Sequence, residues 1–468
     1  MSFFRLLVSL RCWIDAVVSR LWRCLLSLGG ASCTAQEPVT TITGDTTPND
    51  EYLALTDDEV AKASDNFVES LLPEKIKALA SRYNGGRSCD ITGQARGSYN
   101  VCFFVKFDND EEWVVRIPIE PALYKPWETL LSEVATIERA ANSLCGLVRI
   151  KTSIPVAQIH AHGKGEKLTA SPTATQMFLI LDYIPGTPLA TKKLLRATST
   201  MRTTFFRQLV GYLAEIWSLE LPAIGSLMLC GNASQPIVGG LLTQSSNDAR
   251  RDMPSFVSSK AFVESQFDLV SRYLLAPRHD HPEDEVLYDL FCLSSMKPYF
   301  SSVIKPEFDS GPFVLSHPDL RPSNIIVNEE MGIVGFIDWQ FASAVPRQLC
   351  TPPAWVTGHT WTNYDKLFLS SFSVGLALDD KLPEQLNREW RDPSSTSLHV
   401  AHIIRRPAHL NRVFQNYFAR GQDARELEEA ETKLFQDPRV ASEAQQIAER
   451  NARYTEYLKS QGRYTKVA

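Results

Sequence analysis

Residues 313–339 constrain the fold of this chain most strongly, and they read FVLSHPDLRPSNIIVNEEMGIVGFIDW. Three short apolar runs within this stretch, residues 313–315, 325–327 and 333–337, have the composition of buried strands. The gap between the last two runs is rich in Asn, Glu and Gly, so it predicts the turn of a hairpin. The polar residues that punctuate these strands are His317, Asp319, Asn324 and Asp338.

These four polar residues stand where strands end and loops begin, which is where functional sites are usually built. The pattern H-x-D-x-x-x-x-N, followed by an Asp after a hairpin, has the spacing of a kinase catalytic loop. In that arrangement Asp319 accepts or orients the proton of a substrate hydroxyl. Asn324 and Asp338 supply oxygen ligands, and Mg²⁺ commonly takes only one or two ligands from the protein. The alternative is an ordinary hairpin whose turn residues happen to be polar. All four polar residues match the spacing of the kinase catalytic loop, and this disfavours the alternative.

The strings HPDLRPSN and IDW resemble the aminoglycoside phosphotransferase and choline kinase family, small-molecule relatives of protein kinases. The resemblance covers about residues 93–355. It implies an α+β, two-lobed protein-kinase-like fold with a small antiparallel-sheet N-terminal lobe and a larger helical C-terminal lobe. It implies ATP and Mg²⁺ as cofactors and the hydroxyl of a small molecule as the acceptor. Gln340 departs from the family pattern, in which an acid often follows the Trp.

The same resemblance assigns roles within the motif. Asp319 would be the catalytic base, and His317 would brace the loop that carries it. Asn324 and Asp338 would be the metal ligands. Catalysis would then consist of positioning the reactants and neutralising charge.

Two apolar strands, residues 101–107 and 113–119, predict a small sheet before this motif. Gly97 and Ser98 lie in the glycine-bearing turn that leads into it, where backbone N–H groups can approach a phosphate closely. Arg116 stands within WVVRIP, where kinases carry a Lys that holds phosphate, and an arginine can pair with phosphate through two N–H groups. An ion pair on the sheet surface is the alternative for this arginine.

A helix predicted over residues 126–144 carries the candidate partners of Arg116. Glu133 and Glu138 both flank its apolar stripe, whereas Glu128 points away, so periodicity leaves the first two open. The string SEVAT resembles the corresponding helix of the family, and that resemblance selects Glu133.

Two further strands are expected, at residues 154–159 and 177–184. The second ends at a Pro-Gly pair, which predicts a turn. By the resemblance, this end is the hinge between the lobes, whose backbone meets the adenine edge. The hinge residues would be Asp182, Tyr183 and Ile184.

Helical periodicity dominates from residue 188 onward and predicts the larger lobe. Helices are expected at residues 201–219, 254–275 and 285–300, with a helical surface tail at 426–459. Residues 225–252 are rich in Gly and Ser and predict a long loop. The expected divisions of the chain are a leader and linker at 1–50, a nucleotide-binding lobe at 51–184, and a catalytic and acceptor-binding lobe at 185–468.

Other features bear on the partners. The acidic run at residues 280–285 would favour a cationic acceptor, or it is simply a solvated face.

The net charge of −6 lacks the basic field of a nucleic-acid-binding protein. Nine scattered cysteines without a C-x-x-C pair indicate a reducing compartment. The absence of an A-P-E motif disfavours a protein kinase, which stays one alternative; the other is a catalytically weak kinase-like binding or mitochondrial maintenance protein. The sequence does not indicate an oligomeric state.

Residues 1–35 differ from the rest because four arginines and one acid interrupt an apolar segment. No uninterrupted run approaches the roughly 20 apolar residues of a membrane-spanning helix. The segment resembles a mitochondrial transit peptide, and the alternatives are an interfacial helix in peripheral contact with a membrane or a frayed extension. A mitochondrial or cytoplasmic location is therefore expected. Thr56 and Glu59 then form a capping box, which predicts the start of the first helix after the linker.

Overall fold

The computed structural model describes residues 55–137, 147–229, 236–379, 382–392, 394–420 and 422–465. The leader at residues 1–50 and Glu138 lie outside these ranges, so the predictions made for them stay predictions. Within the described ranges, no helix has both the length and the apolar character needed to cross a membrane.

The strands of the described residues are β1 (Cys89–Arg96), β2 (Asn100–Phe107), β3 (Glu112–Pro118), β4 (Ile159–Glu166), β5 (Gln176–Asp182), β6 (Thr187–Pro188), β7 (Glu220–Leu221), β8 (Gly225–Met228), β9 (Ile237–Val238), β10 (Phe313–Ser316), β11 (Ile325–Val327), β12 (Ile333–Phe336) and β13 (Ser343–Pro346). The helices are α1 (Asp57–Ser70), α2 (Pro73–Tyr83), α3 (Pro126–Ile137), α4 (Leu147–Lys151), α5 (Thr191–Arg196), α6 (Ser199–Trp217), α7 (Gln244–Asp248), α8 (Ser259–Leu274), α9 (Glu283–Ser302), α10 (Ala354–Thr357), α11 (Asp365–Ala377), α12 (Glu384–Arg391), α13 (Thr396–Arg405), α14 (Leu410–Val413), the π-helical segment Phe414–Ala419, α15 (Ala424–Phe435) and α16 (Pro438–Ser460).

The first sheet has the strand order β1-β2-β3-β5-β4, and every neighbouring pair is antiparallel. Alternate residues of β2, such as Val101 and Phe103, are buried on one face. Because side chains alternate along a strand, this pattern places one face of the sheet against the core. Ile76 and Leu79 of α2 pack into the same apolar cluster. The predicted antiparallel N-terminal region is confirmed, and the rest of the described chain is mostly helical, as predicted.

Helix α1 begins at the predicted capping box. The Glu59 N–H donates to Thr56 Oγ1 at 3.3 Å, and the Thr56 N–H donates to Glu59 Oε2 at 2.8 Å. Arg463, beyond the end of α16, also bonds Glu59 through Nε at 2.6 Å. The bond to Arg463 is the main cause that lowers the pKa of Glu59 to about 2. The predicted helical tail consists of two helices, α15 and α16, which are separated just before Pro438. The bond from Arg463 to Glu59 connects the end of this tail to α1.

The catalytic-loop region has the predicted strand and hairpin. Residues 313–315 lie in β10, and β11 pairs antiparallel with β12. The helices predicted at 201–219 and 285–300 appear as α6 and α9 with nearby ends. The helix predicted from residue 254 begins later, at Ser259, because Ser258 caps it: its hydroxyl accepts from the Ala261 N–H at 3.1 Å.

Two local predictions were wrong. Residues 154–158 form no strand, and β4 begins only at Ile159. The Pro155 carbonyl accepts from the Phe336 N–H of β12 at 2.9 Å, and the Gln158 carbonyl accepts from the Asp182 N–H of β5 at 2.9 Å. The segment therefore connects β12 with the first sheet instead of forming a strand of its own. The predicted loop at residues 225–252 contains β8, β9 and α7. Elements of two to five residues are too short to show a hydrophobic period, so the sequence pattern could not reveal them.

An apolar cluster joins the two lobes. Leu130 and Val134 of α3 share it with Leu315 of β10 and with Trp339, which follows the hairpin. The Trp339 indole N–H donates to the Phe336 carbonyl at 3.2 Å. The helix that carries Glu133 is thus packed in the same core as the strands that carry the motif.

Candidate active site

A cleft of about 780 Å³ lies between the first sheet and the segment that follows β10. Ten of the predicted site residues line it, and His317 lies just outside the lining. The ten are Gly97, Ser98, Arg116, Glu133, Asp182, Tyr183, Ile184, Asp319, Asn324 and Asp338.

His317 links the predicted base to the predicted metal ligand. Its Nδ1 accepts from the Asp319 N–H at 3.3 Å, and its Nε2 lies 3.2 Å from the Ile337 carbonyl oxygen. Since a carbonyl can only accept, Nε2 carries the proton and Nδ1 carries none. Burial lowers the pKa of His317 below its ordinary value, so the ring is neutral at physiological pH. The imidazole is therefore a fixed brace between the loop of Asp319 and the residue before Asp338.

Asn324 is oriented by the loop that it belongs to. Its Nδ2 donates to the Asp319 carbonyl at 2.8 Å, and its side chain is buried. No described residue donates a hydrogen bond to its Oδ1, which is left for another ligand. The Trp355 indole N–H donates to the Leu320 carbonyl at 2.9 Å and holds the middle of the same loop.

Arg116 of β3 and Glu133 of α3 form a buried ion pair. Nη1 of the arginine donates to Oε1 at 2.8 Å, and Nη2 donates to Oε2. Burial disfavours the charged guanidinium, but the charges of Glu133 and Asp338 hold the pKa of Arg116 above its ordinary value. The periodicity of α3 left the partner of this arginine open, and the structure places Glu133 opposite it.

Asp338 carries an oxygen that the protein leaves without a partner. Its Oδ1 is buried, has no hydrogen-bond donor among the described residues, and lies 3.8 Å from Arg116 Nη1. Burial raises the pKa of this carboxyl group, and Arg116 opposes the rise. Its backbone is in the left-handed region, with φ of 63°, which is uncommon for a residue other than glycine. A buried polar atom without a partner costs free energy, so it points to a ligand that supplies the missing interaction.

The glycine-bearing turn between β1 and β2 contains two predicted phosphate-binding residues, Gly97 and Ser98, and the N–H of the first is bonded within the turn. The Gly97 N–H donates to the Asn100 carbonyl at 2.8 Å, so it closes the turn and is not available to a phosphate. The N–H groups of Ser98 and Tyr99 have no acceptor among the described residues. Asn100 also donates through Nδ2 to Gln340 Oε1 at 2.6 Å. The residue that departs from the family pattern therefore ties the turn to the segment after Asp338.

The predicted hinge lies at the end of β5. The Tyr183 N–H donates to the Glu112 carbonyl at 3.0 Å, and Asp182 Oδ1 lies 2.6 Å from the His160 ring. The Ile184 N–H has no acceptor among the described residues and is the backbone donor that remains free here. Gly335 faces the Ile184 side chain, where an added Cβ would lie 2.6 Å from Cδ1. A larger residue at position 335 would therefore force the Ile184 side chain to shift.

Two arginines that the sequence analysis did not select bind the predicted base. Arg321 Nε lies 3.1 Å from Asp319 Oδ2, and Arg406 Nη2 lies 3.2 Å from Asp319 Oδ1. Arg406 also donates through Nη1 to Gln244 Oε1. Arg321 could have been noticed inside HPDLRPSN. Arg406 is 87 positions from Asp319, and no local pattern connects the two.

Comparisons with known proteins identify a family. Residues 90–348 match the model of a family described as the phosphotransferase enzyme family. No curated protein sequence matches the chain.

Solved structures with a similar arrangement include three kinase-like proteins. A candidate aminoglycoside phosphotransferase of Ralstonia eutropha is 13% identical, with a TM-score of 0.41 over 83% of this chain and 99% of its own. Plasmodium vivax ethanolamine kinase is 14% identical, with a TM-score of 0.40 over 84% of this chain and 99% of its own. The ADP-bound aminoglycoside phosphotransferase APH(2'')-Ib is 14% identical, with a TM-score of 0.38 over 78% and 97%. Values this low say nothing about the substrate.

Proposed function

The chain belongs to the phosphotransferase enzyme family, and from that premise we propose that it transfers the γ-phosphoryl group of ATP to a hydroxyl of a small molecule. The observation that carries the proposal is the His317 bridge. One imidazole bonds the Asp319 backbone on one side and the Ile337 carbonyl on the other. A proton acceptor and a metal-binding carboxylate are thereby held in fixed positions in one cleft.

Asp319 is the group that receives the proton in the proposed reaction. The acceptor oxygen forms a bond to the γ-phosphorus while the bond from that phosphorus to the β,γ-bridging oxygen breaks, and ADP leaves. The hydroxyl proton passes to the Asp319 carboxylate. Asp319 is half-buried and open to the cleft, so an acceptor can reach it directly.

Asn324 and Asp338 are the residues that would hold Mg²⁺. Asp338 Oδ1 is buried without a donor among the described residues, and the described bonds of the Asn324 side chain are made by Nδ2 and leave Oδ1 open. Both are hard oxygens, which fits the ligand preference of this ion. A bound Mg²⁺ supplies charge neutralisation for the transferring phosphoryl group. The close guanidinium of Arg116 supports the charged form of Asp338.

The remaining predicted residues are assigned to the nucleotide. Arg116, oriented by Glu133, would contact the phosphates, and the Ser98 hydroxyl and N–H would cover them from the turn. The free Ile184 N–H and the backbone of Asp182 and Tyr183 would meet the adenine edge. The apolar lining near the hinge, which includes Leu181 and Phe336, suits a flat base.

The test incubates the full chain with Mg²⁺ and ATP labelled at the γ-phosphate, together with a fractionated metabolite extract. The proposal predicts label in small molecules, and the mass of the product identifies the acceptor. Asp319→Asn should remove the label, whereas Asp90→Asn, which changes an exposed carboxylate of β1, should not. Label found in protein instead would indicate a protein kinase. No transfer to either fraction by the wild-type chain would refute the proposed activity.

We also propose that residues 1–35 direct the protein to mitochondria. The support is four arginines against one acid on an apolar segment. A fusion of residues 1–50 to a fluorescent reporter, followed by sequencing of the mature N-terminus, tests this. Mitochondrial location with cleavage is the expected result, and an uncleaved reporter on other membranes would favour the interfacial helix instead.

A further inference from the structure

We infer, on the basis of the phosphotransfer reaction proposed above, that the acceptor carries an anionic group, a phosphate or a carboxylate, which Arg406 and Arg321 bind beside the reacting hydroxyl. The observation is the environment of Asp319. Its two carboxylate oxygens are each held by a different guanidinium group, at 3.2 Å from Arg406 and 3.1 Å from Arg321. Both arginines are partly exposed. Arg321 lines the cleft itself, and Arg406 stands directly behind the lining, where it bonds two residues that do line the cleft, Asp319 and Gln244.

The three charged groups bonded to one another around Asp319 carry a surplus of positive charge. Four acids line the cleft, and three are engaged elsewhere: Glu133 with Arg116, Asp182 with His160, and Asp338 at the proposed metal site. The fourth, Asp319, contributes −1 against +2 from the two arginines, which gives +1. A cationic acceptor would meet net repulsion here, whereas an anionic one would neutralise the surplus.

Arg406 is positioned to bind an acceptor and not only to bind Asp319. It follows the last residue of α13, and its N–H donates to the His402 carbonyl at 2.9 Å, which fixes its backbone. Its guanidinium has five N–H donors, of which the bonds to Asp319 and Gln244 use two. Asp319 must free an oxygen to take the hydroxyl proton. The guanidinium that it releases then lies next to the acceptor with donors suited to phosphate or carboxylate.

A smaller cavity beside the cleft is also lined by an arginine and by no acid among the described residues. It has a volume of about 50 Å³, and Gln244 and Pro318 line both it and the cleft. The arginine is Arg405, and its described bonds are to the carbonyls of Leu349 and Thr351 at 3.4 Å. The amide of Gln266, which is 1% exposed and also lines the cavity, has neither atom bonded.

The acidic run that could have selected a cationic acceptor lies elsewhere. Asp280 accepts from the Tyr464 hydroxyl at 2.7 Å, and Glu285 pairs with His281 at 2.6 Å. None of residues 280–285 lines the cleft. Asp248 also interacts with the charge of Arg406. Burial raises the pKa of its carboxyl group, which disfavours the charged form, and its Oδ1 accepts from the Tyr99 hydroxyl at 3.2 Å and from the Asn247 side-chain amide at 3.3 Å.

The experiment measures binding of four related probes to the full chain saturated with Mg²⁺ and the β,γ-imido analogue of ATP, which fills the γ-phosphate position. The probes are glycerol, glycerate, glycerol 3-phosphate and ethanolamine. The inference predicts that at least one of the two anions binds more tightly than glycerol, and that ethanolamine binds no more tightly than glycerol. The preference between the two anions distinguishes a carboxylate acceptor from a phosphate acceptor.

The variants assign the effect to Arg406. Arg406→Ala should weaken binding of the preferred anion by about 10- to 100-fold, the range expected for a lost charged hydrogen bond. Arg406→Lys should restore part of it, because charge returns without the fork of N–H groups. Arg272→Ala, an exposed arginine of α8, is the matched control and should change nothing.

Equal binding of glycerol and both anions, tighter binding of ethanolamine, or anion binding that is unchanged in Arg406→Ala would each overturn the inference. Failure of the ATP analogue to bind the wild-type chain counts instead against the proposed phosphotransferase activity, and it is measured first.

Discussion

Two charged clusters lie at the cleft, and they differ in the burial of their side chains, in net charge and in how far apart their members are in the sequence. The nucleotide-side cluster comprises Arg116, Glu133 and Asp338, and the side chains of its central pair are 7% and 1% exposed. The acceptor-side cluster comprises Asp319, Arg321 and Arg406, with side chains 25–48% exposed. The first has two acids and one cation, and the second has two cations and one acid.

The difference in burial indicates that the two clusters behave differently during the reaction. Breaking a buried pair leaves an uncompensated charge in the interior, so Arg116 and Glu133 are expected to stay together through the reaction. An exposed ion pair contributes little to stability, so its members can exchange partners at small cost. We therefore interpret the nucleotide-side cluster as a fixed part of the lobe, and the acceptor-side cluster as the part that opens when an acceptor binds.

The largest expected effect comes from breaking the buried pair. Glu133→Ala should destabilise the protein by about 3–5 kcal/mol, because Arg116 would be left buried without its counter-charge. Chemical denaturation measures the change. Glu128→Ala, on the exposed face of the same helix, is the control and should shift stability by less than about 0.5 kcal/mol. Similar effects of the two substitutions would remove the distinction between the clusters.

Asp338→Asn should separate binding from stability. Affinity for Mg²⁺ and ATP should fall by roughly 100-fold, about 2.7 kcal/mol, because a negative ligand is lost. The raised pKa means that the folded state of wild type binds a proton here more tightly than the unfolded state. Stability is therefore lost as pH rises from the ordinary carboxyl range through the raised pKa.

An asparagine at position 338 does not ionise, so Asp338→Asn does not lose stability as pH rises in this way. In the absence of metal, the variant should therefore be at least as stable as metal-free wild type at pH 7. Calorimetric titration and thermal unfolding of the same samples provide the two readouts. A variant that binds Mg²⁺ and ATP normally but unfolds more easily would show that Asp338 is structural.

A group of four neighbouring histidines, of which His359, His399 and His402 are buried, should make the stability of the protein sensitive to acid. His359 and His399 of this group lie 2.8 Å apart, and His402 and His409 lie 2.9 Å apart, between their ring nitrogens. Burial is the main cause that lowers the pKa of His399 to about 4. The folded state thus binds a proton less tightly than the unfolded state, so this contribution to stability is full above the unfolded pKa and is lost as pH falls below it.

His399→Gln should reduce the loss of stability between pH 6.5 and 5.5 by about 1 kcal/mol, because an unfolded histidine has a pKa near 6.5. The variant's stability at pH 8, where histidine is neutral in both states, provides the internal control for altered packing. Denaturation midpoints at the three pH values give the result. An unchanged dependence on pH would mean that this ring is already charged in the folded protein.

The smallest expected effect is the change in stability when the partly exposed pair of Arg406 and Asp319 is broken. Arg406→Ala should change the free energy of unfolding by less than about 1 kcal/mol, because an exposed pair contributes little. Denaturation measured beside Glu133→Ala gives the direct contrast. A cost near that of Glu133→Ala would show that Arg406 is a structural residue and would contradict an acceptor side that opens.

The same comparison shows what the sequence could predict. Arg116 and Glu133 are 17 positions apart on a strand and the helix after it, so periodicity narrowed the partner to two glutamates and the resemblance chose between them. The strands and hairpin that carry the motif were predicted because their apolar runs are short and bounded by turn residues.

The acceptor-side cluster was not predictable in the same way. The contact between Asp319 and Arg406 depends on how α13 packs in the tertiary fold, against α8 and residues 347–349 among others, and no local pattern records that packing. The bond between Asn100 and Gln340, across 240 positions, was missed for the same reason. Residues 154–158 were misassigned because their apolar run resembles a strand, although Pro155 bonds to β12 of the other lobe.

The measurement that tests the central claim most directly compares binding and turnover in Asp319→Asn. The account assigns proton acceptance to Asp319 and binding of Mg²⁺ and ATP to other residues. It therefore predicts that the variant binds Mg²⁺ and ATP with an affinity close to that of wild type while phosphoryl transfer to the identified acceptor falls at least about 100-fold. Turnover at the wild-type rate in a correctly folded Asp319→Asn protein would contradict the account.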